Sequence, residues 1–260
     1  MKNFRRWLVA ACWVLLIYLC ASSSVSAQAV APEKKWSFLT EIYLLMPNID
    51  GETGVGNSLT VPVDANTGDI LSKLKMGAMV YVEARHNKWT ITSDYVFMNL
   101  QEKITPGKLI QSGTITLKQS IWEAAGFYRL NSFLEVGAGG RLNYLVTNFD
   151  GTRNVLPIGT EEMTGHHSVT FYDPILIARV NTVIKDKWLV KFHGDLGGFG
   201  VGSDFTWQLQ AYAGYRFTKL FQLTGGYRIL STDYNKGSGV KQFIFNVNEY
   251  GPVIRFGFNF

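Results

Sequence analysis

The last twelve residues, Glu249-Tyr250-Gly251-Pro252-Val253-Ile254-Arg255-Phe256-Gly257-Phe258-Asn259-Phe260, decide the fold. Every second position from Tyr250 to Phe260 is apolar or aromatic, and the positions between them hold small, polar or charged side chains, with one valine. A period of two predicts a β-strand, because successive side chains of a strand point to opposite faces of the sheet. This strand therefore has one apolar face and one face that carries Glu249 and Arg255.

The same alternation recurs upstream, and helical periodicity is nearly absent. It predicts ten strands, at residues 36–45, 77–85, 89–100, 114–129, 133–146, 171–183, 188–196, 205–217, 221–232 and 243–260. The connections between them are alternately short (86–88, 130–132, 184–187 and 218–220) and long (46–76, 101–113, 147–170, 197–204 and 233–242). Short turns at one end and long loops at the other are typical of transmembrane β-barrels.

The composition excludes several classes of protein. The chain has 260 residues, of which 17% are charged and 47% hydrophobic, so it is too apolar for disorder. Both cysteines, Cys12 and Cys20, precede the first strand, which excludes a disulfide scaffold. Three of the 25 Lys and Arg residues lie before residue 28, and the remaining 22 nearly balance the 20 Asp and Glu residues, so no nucleic-acid footprint is present.

Residues 1–27 have the pattern of a secretory signal peptide. Lys2, Arg5 and Arg6 are followed by an uncharged apolar run at 7–21 and by small residues before a cleavage site after Ala27. A lipoprotein signal ending at Cys20 is disfavoured by the bulky residue before it. A retained transmembrane anchor is disfavoured because fifteen apolar residues are short for a hydrocarbon core of about 30 Å. Residues 28–260 are predicted to form a single domain.

Export and alternating strands are compatible with a secreted β-sandwich or with a membrane barrel. Aromatic residues at many strand ends favour the membrane, because such rings suit the boundary between water and lipid. The terminal strand is also similar to the signal by which outer-membrane barrels are recognised for assembly, with Tyr250, Phe256, Phe258 and Phe260 as the residues that would carry it. The predicted fold class is all-β, a transmembrane antiparallel up-and-down β-barrel of about ten strands, with short periplasmic turns and long extracellular loops.

Several motifs resemble a group of small, mostly uncharacterised outer-membrane β-barrel proteins of Gram-negative bacteria. They are Asp69-Ile70-Leu71, Met79, Glu83-Ala84, Lys88-Trp89, Tyr172-Asp173-Pro174, Arg179, Trp188, the run 194–204, Trp207, Gly214-Tyr215-Arg216 and Gly226-Tyr227-Arg228. The likeness extends over nearly the whole chain after the signal peptide. It implies the barrel fold and a place in the outer membrane, but no substrate, because fold alone does not define activity.

If the apolar faces meet lipid, the opposite faces collect the charges. The residues predicted to form a lumen charge network are Glu41, Glu83, Arg85, Asp94, Glu123, Glu135, Arg141, Asp173, Arg179, Lys191, His193, Asp195, Arg216, Arg228, Glu249 and Arg255. Acids and bases nearly balance, so we expect them to pair inside the tube. Ten strands enclose a backbone cylinder of roughly 10 Å radius, which such side chains fill. Between Lys118 and Glu123 the alternation changes phase, which predicts a bulge or a strand that projects above the membrane.

Three motifs raise other possibilities. His166-His167-Ser168 and His193 invite comparison with barrel-wall lipid hydrolases, although His167 and Ser168 would point to opposite faces and no serine has a defensible spacing to a histidine. His166, His167 and Asp173 offer metal-ligand chemistry, but a histidine pair in a loop is usually solvated. The glycines between Gly194 and Gly202 lack the ending of a phosphate-binding loop and favour close approach of chains.

The sequence thus predicts an integral outer-membrane barrel with a narrow, charge-lined and plugged lumen, in a structural or small-solute channel role. The alternatives are a lipid-modifying hydrolase of the lipid A deacylase or phospholipase type, and a surface adhesion or recognition protein. No cofactor, metal or nucleic acid is expected. Expected partners are outer-membrane lipids and lipopolysaccharide, the barrel-assembly machinery and periplasmic chaperones, and the barrel is expected to be monomeric.

Overall fold

The computed structural model describes residues 35–55, 60–104, 110–154, 159–239 and 242–260, and the predicted signal peptide lies outside them. The described chain forms twelve strands and one short α-helix. They are β1 (Ser37–Leu45), β2 (Asn48–Val55), β3 (Val61–Ala65), α1 (Thr67–Lys73), β4 (Leu74–His86), β5 (Trp89–Ile104), β6 (Ile110–Arg129), β7 (Leu134–Asn154), β8 (Thr160–Ile184), β9 (Trp188–Gly197), β10 (Phe205–Arg216), β11 (Phe221–Lys236) and β12 (Phe243–Asn259).

Ten of these strands, β1 and β4 to β12, close into an antiparallel barrel in which each strand pairs with its neighbours in the chain. Closure is made by β1, which pairs with β4 on one side and with β12 on the other. Ile42, for example, lies opposite both Val80 and Phe256. The predicted up-and-down barrel of about ten strands is confirmed.

Strands β1 and β2 form one interrupted line along β12. Leu45 pairs with Val253 and Asn48 pairs with Tyr250, so the register continues across the break without a shift. Above the break β2 turns back as a hairpin with β3, and α1 then leads into β4. The predicted long loop at 46–76 therefore contains a hairpin and a helix that the alternation did not reveal.

Helix α1 begins at a capping box, in which the Asn66 side chain accepts a hydrogen bond from the Asp69 amide and the Asp69 carboxylate accepts one from the Asn66 amide. Ile70 is buried, whereas Leu71 is exposed. A salt bridge of 2.8 Å joins Lys73 to Glu102 of β5 and fixes the C-terminal end of the helix.

Two of the other long connections, 101–113 and 147–170, are largely strand in the residues that the structure describes. The pairing of β5 with β6 extends to Ile104, and β7 and β8 remain paired from Leu134–Val180 up to Asn154–Thr160. Alternation marks a strand only where one face meets an apolar environment. Outside that zone both faces meet water, so backbone pairing continues after the sequence signal has faded.

The four tight turns, centred near residues 87, 131, 186 and 219, share one rim of the barrel with the start of β1 and the end of β12. Asn87, Lys185 and Asp186 adopt left-handed φ angles of 54°, 51° and 59°, which are common in tight hairpin turns. The predicted short connections therefore lie together at one end.

Strand β6 contains no bulge between Lys118 and Glu123. Its pairing with β5 and β7 runs through this segment without a register shift, and the irregularity of the strand lies at Ile110 to Ser112. Lys118 lies on the outward face and Glu123 on the inward face, as their odd separation requires. The bulge does not form at this place, and the other alternative, a strand that projects above the membrane, stays a prediction.

The two faces of the barrel are reversed in polarity relative to a water-soluble protein. On β12 the outward Phe256 is 46% exposed while its inward neighbour Arg255 is 4% exposed. Tryptophan, phenylalanine, leucine and isoleucine side chains are exposed on the outer wall all around the barrel, and polar side chains are buried inside it. In the part of the chain that the structure describes, no helix has the length and apolar character needed to span a membrane.

Candidate functional site: the barrel interior

All sixteen charges of the predicted network lie at inward positions, as the register fixes them. Ten are buried and six are half-buried. The buried ones are Glu41, Glu123, Glu135, Arg141, Asp173, Arg179, Asp195, Arg228, Glu249 and Arg255, and the half-buried ones are Glu83, Arg85, Asp94, Lys191, His193 and Arg216. Twelve take part in ion pairs, which fall into three groups.

The first group, called the Arg179 network, lies near the rim of tight turns. Arg179 of β8 contacts Glu135 of the adjacent β7 at 2.6 Å and Glu83 of β4 at 3.0 Å. Strands β8 and β4 are four steps apart in a ten-stranded sheet, so this second contact crosses the lumen. Arg85 and Arg129 complete the network through Glu83 and Glu135.

The second group, called the Glu41 network, crosses the lumen in another direction. The two carboxylate oxygens of Glu41 on β1 accept hydrogen bonds from Lys191 of β9 at 2.8 Å and from Arg255 of β12 at 3.1 Å. Gln222 donates a further bond to Glu41 at 3.2 Å. Arg255 also lies 3.7 Å from Asp94 of β5. Ionic side chains of β1, β5, β9 and β12 therefore meet at the Glu41 carboxylate and the Arg255 guanidinium.

Aromatic rings surround the arginines of these two networks. The Arg179 guanidinium lies 3.9 Å from the centre of the Phe127 ring, and that of Arg255 lies 4.2 Å from the Tyr43 ring and 4.7 Å from the Tyr212 ring. Such stacking stabilises a desolvated cation and fills the space beside it. Both arginines are therefore held by ion pairs and by packing.

The third group, called the Arg141 network, lies where β6, β7, β9 and β10 face one another. Arg141 has no exposed surface, and its Nη2 donates to Glu123 Oε2 and to both Asp195 oxygens at 2.9 Å. Gln208 donates to Asp195 at 2.8 Å, and His193 Nε2 lies 3.0 Å from the same carboxylate. One guanidinium thus joins two carboxylates across an intervening strand.

The same residues include a group with metal-ligand chemistry. Atoms of Glu123, His193 and Asp195 lie within 4.8 Å of one another. The Arg141 guanidinium already contacts both carboxylates, so an arginine side chain supplies the positive charge beside them. These carboxylates therefore act as partners of Arg141 in this arrangement.

The histidines of the other sequence candidates are not brought together. His166 Nδ1 lies 2.6 Å from Asn148 Oδ1, and the His167 ring packs against Phe243. The buried Asp173 accepts hydrogen bonds from the backbone and the hydroxyl of Ser203. Within the described residues the three thus have separate partners, and the considered metal set does not form.

Four of the predicted charges make no ion pair among the described residues: Asp173, Arg216, Arg228 and Glu249. Glu249 accepts a hydrogen bond from Gln119, and Asp173 is satisfied by Ser203 and by Asn143. Pairing was predicted for the whole set, and among the described residues it is found for the other twelve members and not for these four.

The contact between Asp173 and Ser203 explains the glycine run. Gly198 and Gly200 have φ angles of +83° and +77°, which fold the β9–β10 connection inward. A Cβ atom on Gly202 would lie 2.2 Å from the Tyr172 carbonyl oxygen. The expected close approach of chains is thus found where the sequence argument put it.

The sequence reasoning missed that part of the lumen is apolar. A buried cluster inside the barrel, called the lumen cluster, consists of Tyr43, Leu45, Met79, Val96, Met98, Ile121, Tyr212, Leu230 and Val253. Leu74 and Tyr81 pack against it. These residues lie at the same alternate strand positions as the inward charges, and this is the sequence signal that could have identified them. The interior thus contains an apolar cluster as well as ion pairs.

No known protein family and no curated protein sequence matches the chain. Among solved structures, it is similar to the outer membrane protease OmpT of Escherichia coli, with 8% identity, a TM-score of 0.44 and coverage of 90% of this chain and 99% of OmpT. For the toluene transporter TodX of P. putida the values are 8%, 0.40, 88% and 91%. For Ail, the attachment invasion locus protein of Yersinia pestis, they are 10%, 0.36, 87% and 99%.

The class of this protein follows from the two surfaces of its barrel, the outer wall and the interior. A closed antiparallel sheet satisfies its backbone hydrogen bonds without an edge, which is what a lipid environment demands. An apolar outer wall, aromatic residues near one rim and an ionic interior complete the description of an outer-membrane β-barrel.

Proposed function

We propose that this protein is a structural barrel of the outer membrane whose lumen does not serve as an open diffusion pore. The observation that carries the proposal is the pair of contacts across the lumen, from Arg179 to Glu83 and from Lys191 to Glu41. Side chains that touch from opposite walls narrow the water path between them. Catalysis and cofactor binding are not part of this proposal.

The lumen cluster supports the same role. Dense apolar packing excludes water, and an ion that entered it would lose hydration without finding a polar partner. The barrel has too few strands for the aqueous channel of a 16- to 18-stranded porin. A polar layer and an apolar layer therefore oppose conduction by different physical means.

Single-channel recording in planar bilayers tests the proposal. We expect the wild-type protein to give no steps of general-porin size. The double variant Arg179→Ala, Lys191→Ala removes both cations that cross the lumen and is expected to conduct more than the wild type. Lys236→Ala, which removes an exposed ion pair with Asp204, is the control. Large steps from the wild type would overturn the closed-lumen proposal and favour the small-solute channel.

A second candidate function, surface recognition, is favoured by the height of one wall. Strand β8 has 25 residues and β7 has 21, whereas about 9–11 tilted residues cross a membrane. The residues of β7 and β8 beyond this length lie at the end of the barrel opposite to the tight turns. Cells that carry a variant with residues 148–166 replaced by a short turn should keep the barrel, and loss of attachment to a host surface would identify recognition as the role.

We further propose that Tyr250, Phe256, Phe258 and Phe260 form the assembly signal for barrel insertion. Phe260 is exposed at the rim, and its backbone exchanges hydrogen bonds with Phe38 at 2.8 and 3.0 Å. Deletion of Phe260 should lower the amount of folded barrel in the outer membrane, measured by gel migration without boiling. Phe217→Ala, another exposed aromatic near this rim, is the control.

A further inference from the structure

The outer wall of the barrel contains a groove that none of the functions above uses. It has a volume of 560 Å³, and its lining is almost entirely apolar. Six side chains line it: Tyr95, Ser120, Trp122, Leu142, Tyr144 and Thr170.

The register explains why a groove exists at this place. Tyr95, Trp122 and Leu142 lie side by side on β5, β6 and β7, and Ser120, Tyr144 and Thr170 form the next row. Ser120 is the small residue beside the large rings of Tyr95, Trp122 and Tyr144. Its short side chain leaves a depression between them. The Trp122 indole donates to Ser93 at 2.9 Å, which fixes one side of the depression.

Lys118 lies one outward position beyond Ser120 on β6. Its partners on the adjacent strands are Asn99 and Val146, so no acid stands beside it in register. The Lys118 side chain is exposed, and among the described residues it makes no salt bridge. An unpaired cation therefore stands at one end of an apolar groove.

The position of Lys118 on β6 gives its height above the rim of tight turns. Tyr128 packs edge-on against Trp89 at the rim of tight turns, and Lys118 lies ten residues further along the same face. At about 3.3 Å per residue and a tilt of about 40°, this separation corresponds to a height of about 25 Å. The apolar band of a membrane barrel is also about 25 Å tall. If Tyr128 marks one boundary, Lys118 lies at the other, and the groove lies in the adjacent leaflet.

We propose that the groove binds one acyl chain of a phosphorylated membrane lipid, with the phosphate at Lys118. The apolar lining suits hydrocarbon, and the cation at the level of the headgroups suits an anion. The proposal rests on the membrane placement of the barrel. It adds a specific lipid site on the wall formed by β5 to β8.

Native mass spectrometry of the full barrel tests the site. Barrels taken from mixed vesicles of dioleoylphosphatidylglycerol and dioleoylphosphatidylcholine should retain the anionic lipid preferentially. Because one lysine near an anionic headgroup contributes about 1 kcal/mol, Lys118→Ala should weaken this retention about fivefold. Lys118→Arg should keep it, and Ser120→Leu, which fills the groove, should also weaken it.

Lys219→Ala is the matched control, because Lys219 is an exposed lysine in a turn at the opposite rim. Its retention of dioleoylphosphatidylglycerol should equal that of the wild type. Equal loss in Lys219→Ala and Lys118→Ala, or no preference in the wild type, would overturn the site. A barrel that fails to enter the mixed vesicles would instead overturn the membrane placement, and gel migration without boiling shows that each variant is folded.

Discussion

Replacement of Arg141 by methionine should be among the most destabilising single changes in the barrel. The Arg141 side chain is fully buried and joins Glu123 to Asp195 with contacts of 2.9 Å. Methionine has a similar length and no charge, so the substitution removes the cation while it keeps much of the volume. Two buried carboxylates then face each other without the group that neutralised them.

The magnitude follows from what remains around each carboxylate. Asp195 keeps donors from Gln208 at 2.8 Å and from His193 at 3.0 Å, whereas Glu123 keeps only the long contact of 3.4 Å from Gln208. Breaking a buried pair by removal of one partner costs about 3–5 kcal/mol. We expect Arg141→Met to fall in this range, and we expect the added change Glu123→Gln to recover part of the loss.

The assay is reversible urea unfolding in lipid vesicles, followed by tryptophan fluorescence. Arg153→Met is the matched control, because Arg153 pairs with Glu161 at 2.6 Å while the two side chains are 52% and 55% exposed. An exposed pair contributes about 0–1 kcal/mol in spite of its short distance. If the two arginine variants lost equal stability, the interior would be as well hydrated as the surface, and the closed-lumen argument would fail.

Two further substitutions test the assignment of faces and the glycine run. Leu209→Arg places a charge on the lipid-facing wall and should lower the free energy of unfolding in vesicles by about 2–4 kcal/mol. Met163→Arg, on the extended part of β8, should leave it nearly unchanged. Equal effects of the two substitutions would contradict the assignment of the lipid-facing wall. Gly202→Ala should lower the unfolding midpoint more than Gly225→Ala does, because the new methyl group meets the Tyr172 carbonyl oxygen at 2.2 Å in the first case and its nearest neighbour at 3.9 Å in the second; the reverse order would contradict the tight packing of this connection.

The barrel and its interior charges were predictable because lipid imposes a strict pattern. Most lipid-facing positions must be apolar, so a period of two runs across the membrane zone, and the inward parity of residues such as Glu41 and Arg255 follows from their neighbours. Outside that zone the constraint disappears. The paired extensions of β7 and β8 and the hairpin of β2 and β3 carry no comparable alternation, and backbone hydrogen bonds formed them without a sequence signal.

The partners inside the lumen were not predictable from one strand at a time. Arg179 and Glu83 are separated by 96 positions in the chain, and their contact depends on the curvature and stagger of the closed sheet. The lumen cluster was missed for a related reason. Val96 and Leu230 share the inward parity of the charges, but apolar residues were expected only on the face that meets lipid.

The seam of the sheet and the Glu41 network share one pair of side chains, Glu41 and Arg255. The seam of the barrel lies between β1 and β12, and Glu41 and Arg255 face inward from these two strands with a contact of 3.1 Å. Lys191 reaches the same carboxylate from β9, on the far wall. Before the seam forms, Glu41 has no Arg255 beside it, so the Glu41 network cannot be complete in an open sheet. The pairing of β1 with β12 that closes the sheet is thus also required for the Glu41 network on which the proposed closed lumen depends.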